Sequence, residues 1–268
     1  MSPLSPRSPL TLIGCGHMAG AMLSRWLATG LDPAAVQVVR PSGQAVGDGV
    51  RVVRSAEALP ERAGAVLLAV KPQMLAQVAA DVRPLTTGVP LLSILAGTTL
   101  DTLARLFPGA QPVRAMPNLP VAGGDGVVGL CAPDPSSPAA RFADQLMAPL
   151  GLVEWVAEDR FDALTALAGS GPAFLYRVVQ AMAAAGEAAG LDADQSLRLA
   201  RATVRGAARV VAASADTPAT LADRVASRGG STREGLNVLD ADGALDRLFE
   251  RTIAAAVARN RSLAAETG

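Results

Sequence analysis

This chain has one histidine, His17, and two cysteines, Cys15 and Cys131, in 268 residues. One imidazole and two thiols fall short of a typical zinc site, and a Ser-His-Asp triad would have to use His17. Metalloenzyme and hydrolase chemistry therefore recede, and no metal site is expected. Two cysteines in a chain of this length fit a reducing compartment rather than a disulfide scaffold, so the expected location is the cytoplasm. Net charge is also missing, with 24 Lys plus Arg against 24 Asp plus Glu. No overall field recruits nucleic acid or an anionic membrane. The first nine residues contain no apolar h-region and read as a short disordered tail rather than a signal peptide. The most apolar stretch, residues 163–190, is interrupted by glycines, Pro172 and Arg177. It reads as a buried core helix with a break rather than a membrane span.

What remains is apolar residues in two successive patterns. Short runs at Leu10–Ile13, Val36–Val39, Arg51–Val53, Ala65–Val70, Leu91–Leu95, Pro112–Met116, Val127–Cys131 and Val153–Val156 read as strands. Helical segments separate them, from Met18 to about Thr29, from Pro72, and near Ser137 to Leu150. Strand-helix alternation predicts an α/β fold, a doubly wound parallel sheet over residues 1–158. From residue 159 onward no strand run is left, and alanine-rich helical segments predict an all-α domain to residue 268. Its elements are a segment over residues 162–190 broken near Gly169–Pro172, a helix capped by Asp192, one capped by Thr217 with Pro218 at its first position, one opened by a Ser231/Glu234 capping box, and a last one capped by Asp242. These very apolar helices are hard to cover within one domain, so an intertwined homodimer is expected.

Gly14-Cys15-Gly16-His17-Met18-Ala19 follows the first strand and opens the first helix. In such a fingerprint the first glycine makes the tight turn, and the second lets a pyrophosphate approach the backbone. The small third residue lets helix and strand pack closely. Gly14, Gly16, His17, Met18 and Ala19 are the first cofactor-binding candidates. The end of the second strand decides which dinucleotide. NAD-selective sheets carry an acid there. This chain has Arg40 and Ser42, which suit a 2′-phosphate, so NADP(H) is expected, with NAD(H) as the alternative. Ala69, Val70, Lys71 and Pro72 end the fourth strand at the sheet edge where ligands bind in open α/β folds, as do Met116 and Asn118 on a later strand. Ala96 follows the Leu91–Leu95 run and joins them as a cofactor-binding candidate.

These residues resemble the pyrroline-5-carboxylate reductase family almost end to end. The resemblance rests on the Gly14 loop, on Ala69-Val70-Lys71-Pro72-Gln73 and on Arg114 to Pro120. In the helical part it rests on Asp162 to Ala173 and Ser227 to Thr232. It implies a Rossmann domain, a helical domain that dimerises by interlocking, and dimers assembled further into rings such as a decamer. The implied reaction is NAD(P)H-dependent reduction of the cyclic imine 1-pyrroline-5-carboxylate to L-proline. The resemblance also implies that Gly230, Ser231 and Thr232 hold the substrate carboxylate, that Thr232 lies near the ring nitrogen, and that Thr165 and Val225 border the pocket. Thr232 is then the catalytic candidate. The chain departs from the family at Arg228, often a proline, at Ala56, commonly an asparagine, and at Arg40-Pro41-Ser42, more usually an Asn-Arg pair.

A reduction of this kind needs few reactive side chains. The imine carbon is already electrophilic and the cofactor carries the hydride, so the protein mainly orients. Other NADP-dependent imine or keto-acid reductases of similar architecture are the nearest rivals. Those of the β-hydroxyacid type use a lysine in the helical domain, and residues 160–268 contain none. A non-catalytic NADP(H)-sensing protein is the rival of another class.

Overall fold

The structure is a computed structural model that describes residues 4–60 and 62–267. The described residues fall into two compact units, one drawn from Met1–Ser170 and Ala255–Gly268, the other Gly171–Ala254.

The first unit is built on eight strands: β1 (Leu10–Ile13), β2 (Val36–Val39), β3 (Arg51–Val53), β4 (Ala65–Leu68), β5 (Pro90–Ser93), β6 (Gln111–Pro117), β7 (Gly126–Cys131) and β8 (Gly151–Trp155). They form one sheet in the order β3-β2-β1-β4-β5-β6-β7-β8. The side-chain period of two divides each central strand between two cores. Leu10, Leu12, Val36, Val38, Ala65 and Leu67 face one side, with Met22, Trp26, Phe142 and Leu146 from the covering helices. Ile13, Val66, Leu68 and Leu91 face the other, with Leu75, Ala79, Val82 and Phe107. Both faces are covered, which is why β4 reads as a continuous apolar run. The covering helices are α1 (His17–Ala28), α2 (Leu75–Thr86), α3 (Leu100–Leu106) and α4 (Pro138–Met147).

The expected parallel sheet holds except at one place, where β7 runs antiparallel to β6. The eight residues between them, 118–125, are too few for the crossover that a parallel neighbour needs. Pro72 opens a short 3-10 turn, Pro72–Met74, that runs on into α2. The expected disordered tail is corrected for residues 4–9. Ser5 and Ser8 form a bridge, Pro9 is buried, and its carbonyl accepts from Gly64 N at 2.8 Å. Residues 1–3 of that expectation lie outside the described ones.

After the sheet come α5 (Phe161–Leu164), a π-helical turn at Thr165–Gly169, and α6 (Gly171–Ala188). Next are α7 (Ala193–Ala213), α8 (Pro218–Arg224), α9 (Ser231–Asp240) and α10 (Ala244–Thr267), the last shared between the two units. Asp192 and Thr217 cap as expected, accepting from Gln195 N and Thr220 N. Two other caps are corrected. Gly230, not Ser231, is the N-cap of α9, and no side chain caps it, so the Ser231/Glu234 box is out of frame by one residue. Asp242 makes no cap for α10 and instead sits in left-handed backbone at φ 51. The buried core helix expected from residue 163 is corrected too, because no residue of α6 is buried. Within α7 only Ser196 and Ala200 are. Among the described residues no helix is long and apolar enough to cross a membrane.

Candidate active site

Strand order reverses between β1 and β4, and the loops that leave those two strands flank the crevice where open α/β sheets take ligands. The structure brings Gly14 against Ala69 and Val70 there. Gly14 has φ +84, and a Cβ on it would lie 2.8 Å from the Ala69 carbonyl oxygen and 3.1 Å from Val70 Cγ1. Gly14 N donates to Val39 O at 2.9 Å, which fixes the loop to the end of β2. Gly16 is the N-cap of α1, without a side-chain cap, and a Cβ on it would meet nothing within 4 Å. The first-turn N–H groups of α1, at the positive end of the helix dipole, are thus not taken by an N-cap side chain. A pyrophosphate fits that cradle. Ala19 is buried against the core, His17 is exposed and Met18 half-buried.

Arg40 and Ser42 follow β2, and Arg40 lies close enough to the loop to act on Cys15. Burial pushes the Cys15 thiol up, and the Arg40 cation opposes that rise. Burial also pushes Cys131 up to about 11, helped by the Glu158 carboxylate. The Cys131 thiol thus stays protonated at neutral pH and offers no nucleophile. The Arg40 guanidinium makes one long hydrogen bond, Nη1 to Gln44 O at 3.4 Å, and Ser42 Oγ accepts from Gln44 N at 3.3 Å. Arg40, Ser42 and the loop form a cationic rim at the end of the cradle. Lys71 is exposed beyond β4, and Pro72 and Ala96 are half-buried along the same edge.

Met116 and Asn118 occupy the end of β6, both largely buried. The Asn118 amide is engaged on both sides. Its Oδ1 accepts from Val127 N at 2.9 Å, and its Nδ2 donates to Ala168 O at 3.0 Å. Thr165 begins the π-turn, and its hydroxyl donates to Phe161 O at 2.8 Å. Sequence reasoning missed the group that surrounds this end of the sheet. Arg114 is buried, pairs with Glu158 at 2.9 Å, and lies 4.1 Å over the Phe161 ring centroid. Glu158 Oε1 also accepts from Leu100 N at 2.7 Å, tying α3 to the segment after β8. Arg114 and Glu158 are 44 positions apart, and no local pattern links them.

In the second unit, Val225 follows α8, Gly230 is the N-cap of α9, and Ser231 and Thr232 are its first two residues. Val225, Ser231 and Thr232 are exposed. Gly229 takes the left-handed backbone, φ +71, and Gly230 N donates to Ser227 O at 3.0 Å. Ion pairs hold both shoulders of this turn, Arg224 with Asp216 and Arg233 with Asp223 at 2.6 Å. Because Glu234 N is the first to bond back, to Gly230 O at 3.2 Å, the N–H groups of Ser231 and Thr232 have no intrahelical partner. With no side-chain cap competing, they are better placed for an anion than the expected capping box would leave them.

A family profile described as pyrroline-5-carboxylate reductase dimerisation matches residues 158–263, and one described as NADP oxidoreductase coenzyme F420-dependent matches residues 9–97. The chain is 35% identical over 271 residues to a pyrroline-5-carboxylate reductase of Pisum sativum, covering 97% of each. The chain belongs to the pyrroline-5-carboxylate reductase family. A solved pyrroline-5-carboxylate reductase from Coxiella burnetii matches with a TM-score of 0.87 and 30% identity, over 96% of this chain and 98% of that one. The fold is shared as well with the Plasmodium falciparum pyrroline carboxylate reductase, solved with NADP bound. That match has a TM-score of 0.85 at 23% identity, over 97% of this chain and 99% of that one.

Proposed function

We propose that this protein reduces 1-pyrroline-5-carboxylate to L-proline with NAD(P)H as the hydride donor, the last step of proline biosynthesis. Membership of the family over 97% of the chain, beside a dinucleotide cradle at the β1–β4 switch point, carries this reading. Gly14, Gly16, His17, Met18 and Ala19 receive the pyrophosphate, and the edge from Ala69 to Pro72, with Ala96 and Met116, borders the rest of the cofactor. When bound, the cofactor supplies the hydride, so the chain needs only to hold the imine in place, keep water out and support one proton. The Ser231 and Thr232 N–H groups bind the substrate carboxylate, with Gly230 giving close backbone approach. The Thr232 hydroxyl donates to the ring nitrogen as it becomes an amine, and Thr165 and Val225 are further substrate-binding residues. Residues 1–158 serve the nucleotide and residues 159–268 the substrate and dimerisation.

We place the protein in the cytoplasm as a homodimer joined through the helical domain, with larger rings built from dimers. The apolar exposure of the second unit supports the dimer. Tyr176 is 58% exposed, Val210 55% and Val238 73%, in helices that bury almost nothing within their own chain. A second copy of the same face covers such a surface most simply.

Arg40 and Ser42 favour NADP(H) over NAD(H). Replacing Arg40 by alanine removes a charge suited to a 2′-phosphate. The KM for NADPH is expected to rise about tenfold, the scale of one lost charged hydrogen bond, while that for NADH stays within about twofold. Steady-state kinetics with each cofactor check this, and equal rises count against a 2′-phosphate role. The reaction itself is tested by following NADPH consumption with 1-pyrroline-5-carboxylate beside a panel of keto acids and six-membered cyclic imines.

A further inference from the structure

The Asn118 amide does something that the proposed cofactor site does not require. It joins the end of β6 to the π-turn. In an α-helix the Ala168 carbonyl would accept from the N–H four residues on. That residue is Pro172, which has no N–H. The turn is already irregular, closed by Ser170 N donating to Thr165 O at 3.0 Å, five residues back. Turns of this kind cluster at functional sites. Asn118 Nδ2, 50 positions earlier in the chain, supplies a donor to Ala168 O at 3.0 Å. Its Oδ1 is held by Val127 N, so the amide cannot turn over without losing both bonds. Two apolar contacts seat the same turn. Gly169 lies against Met116, where a Cβ would come 3.6 Å from Met116 Cγ, and Gly129 leaves the space that Leu164 fills.

We infer that Asn118 is a positioning residue: it replaces the N–H that Pro172 lacks and so fixes the π-turn that carries Thr165. This rests on the proposed reaction, in which Thr165 borders the substrate. Asn118 then governs substrate binding through Thr165 and does not contribute its side chain to the cofactor. The residue types agree with this. An asparagine has a donor and an acceptor at opposite ends of one rigid amide, which a two-sided tether needs. Asn118 is 5% exposed, leaving its side chain little surface for a ligand.

The test is Asn118→Asp. The carboxylate keeps an acceptor for Val127 N but sets a second oxygen against the Ala168 carbonyl. Expected is a rise of about tenfold or more in the KM for 1-pyrroline-5-carboxylate, the scale of one lost buried hydrogen bond with a partner left unsatisfied. The Kd of NADPH, read by its fluorescence without substrate, stays within about twofold. Amide hydrogen exchange of the segment 165–171 accelerates, while that of β6 and β7 does not. Should the aspartate variant not fold, Asn118→Ser removes the same donor. The double variant Asn118→Ser with Pro172→Ala returns an N–H at position 172, and its substrate KM is expected within about threefold of that of Pro172→Ala alone. A rise in NADPH Kd with unchanged substrate KM would make Asn118 a cofactor contact and overturn the inference. Unchanged exchange over 165–171 would overturn it as well. A wild-type protein that does not consume NADPH with this substrate would sink the proposed reaction instead, and the exchange experiment would still decide the tether.

Discussion

Thr232→Ala is expected to lower kcat about 100-fold with 1-pyrroline-5-carboxylate and to leave the NADPH Kd within about twofold, the scale of one positioned proton donor. Thr232 is the second residue of α9, is exposed, and stands beside first-turn N–H groups that no side chain caps. The backbone N–H at 232 survives the substitution, so the carboxylate keeps its anchor and the substrate KM should change little. What is lost is the hydroxyl. The nitrogen gains electron density as the imine carbon is reduced, and a hydroxyl aimed there stabilises the transition state more than the ground state. The split between kcat and KM therefore separates a proton-supporting role from simple binding. Thr232→Ser should retain most of the activity. Equal kinetics for the alanine variant and the wild type would remove Thr232 from the mechanism.

Gly14→Ala is expected to weaken NADPH binding at least tenfold. The residue sits at φ +84, where an L side chain costs about 1–2 kcal/mol. Its Cβ would stand 2.8 Å from the Ala69 carbonyl oxygen, an atom of the neighbouring strand end that cannot rotate away. The loop must then shift from β4, and the aligned N–H groups of α1 shift with it. A difference of about 1.4 kcal/mol is a factor of ten in Kd. The core beneath, from Leu12 to Leu67, is untouched, so the variant should fold and elute as the wild type does. Fluorescence titration with NADPH measures the affinity. An unchanged Kd would mean that the phosphates bind elsewhere.

The nucleotide half was the more legible part of the sequence. The Gly14 loop and the apolar run of β4 are local patterns, and each lies where its pattern puts it. What escaped was set by partners distant in sequence. The pair of Arg114 with Glu158 depends on strand order, since β6 and the segment after β8 come together only through the sheet. The Asn118 amide looked free to face a ligand, because nothing in its neighbourhood announced that Ala168 O lacked a donor. The start of α9 slipped by one residue because Ser231 and Glu234 imitate a capping box, while Gly230 takes the extended backbone of the true cap. With Gly230 as the cap, no side chain takes the N–H groups of Ser231 and Thr232, to which the proposed function assigns the substrate carboxylate. The same limit applied to the apolar helices. Their composition promised burial, and within one chain α6 has none. The second unit is legible only if the interface of an assembly counts as core.

The proposed reaction is hydride transfer to the carbon of a five-membered cyclic imine. The most direct measurement supplies NADPH deuterated at the nicotinamide C4 together with 1-pyrroline-5-carboxylate, and identifies the product by mass and NMR. The expected product is L-proline carrying one deuterium at C5, formed one for one with NADP⁺, with slower consumption of keto acids or six-membered imines. NADPH that binds but is not consumed, or that is consumed faster with a keto acid, would contradict it.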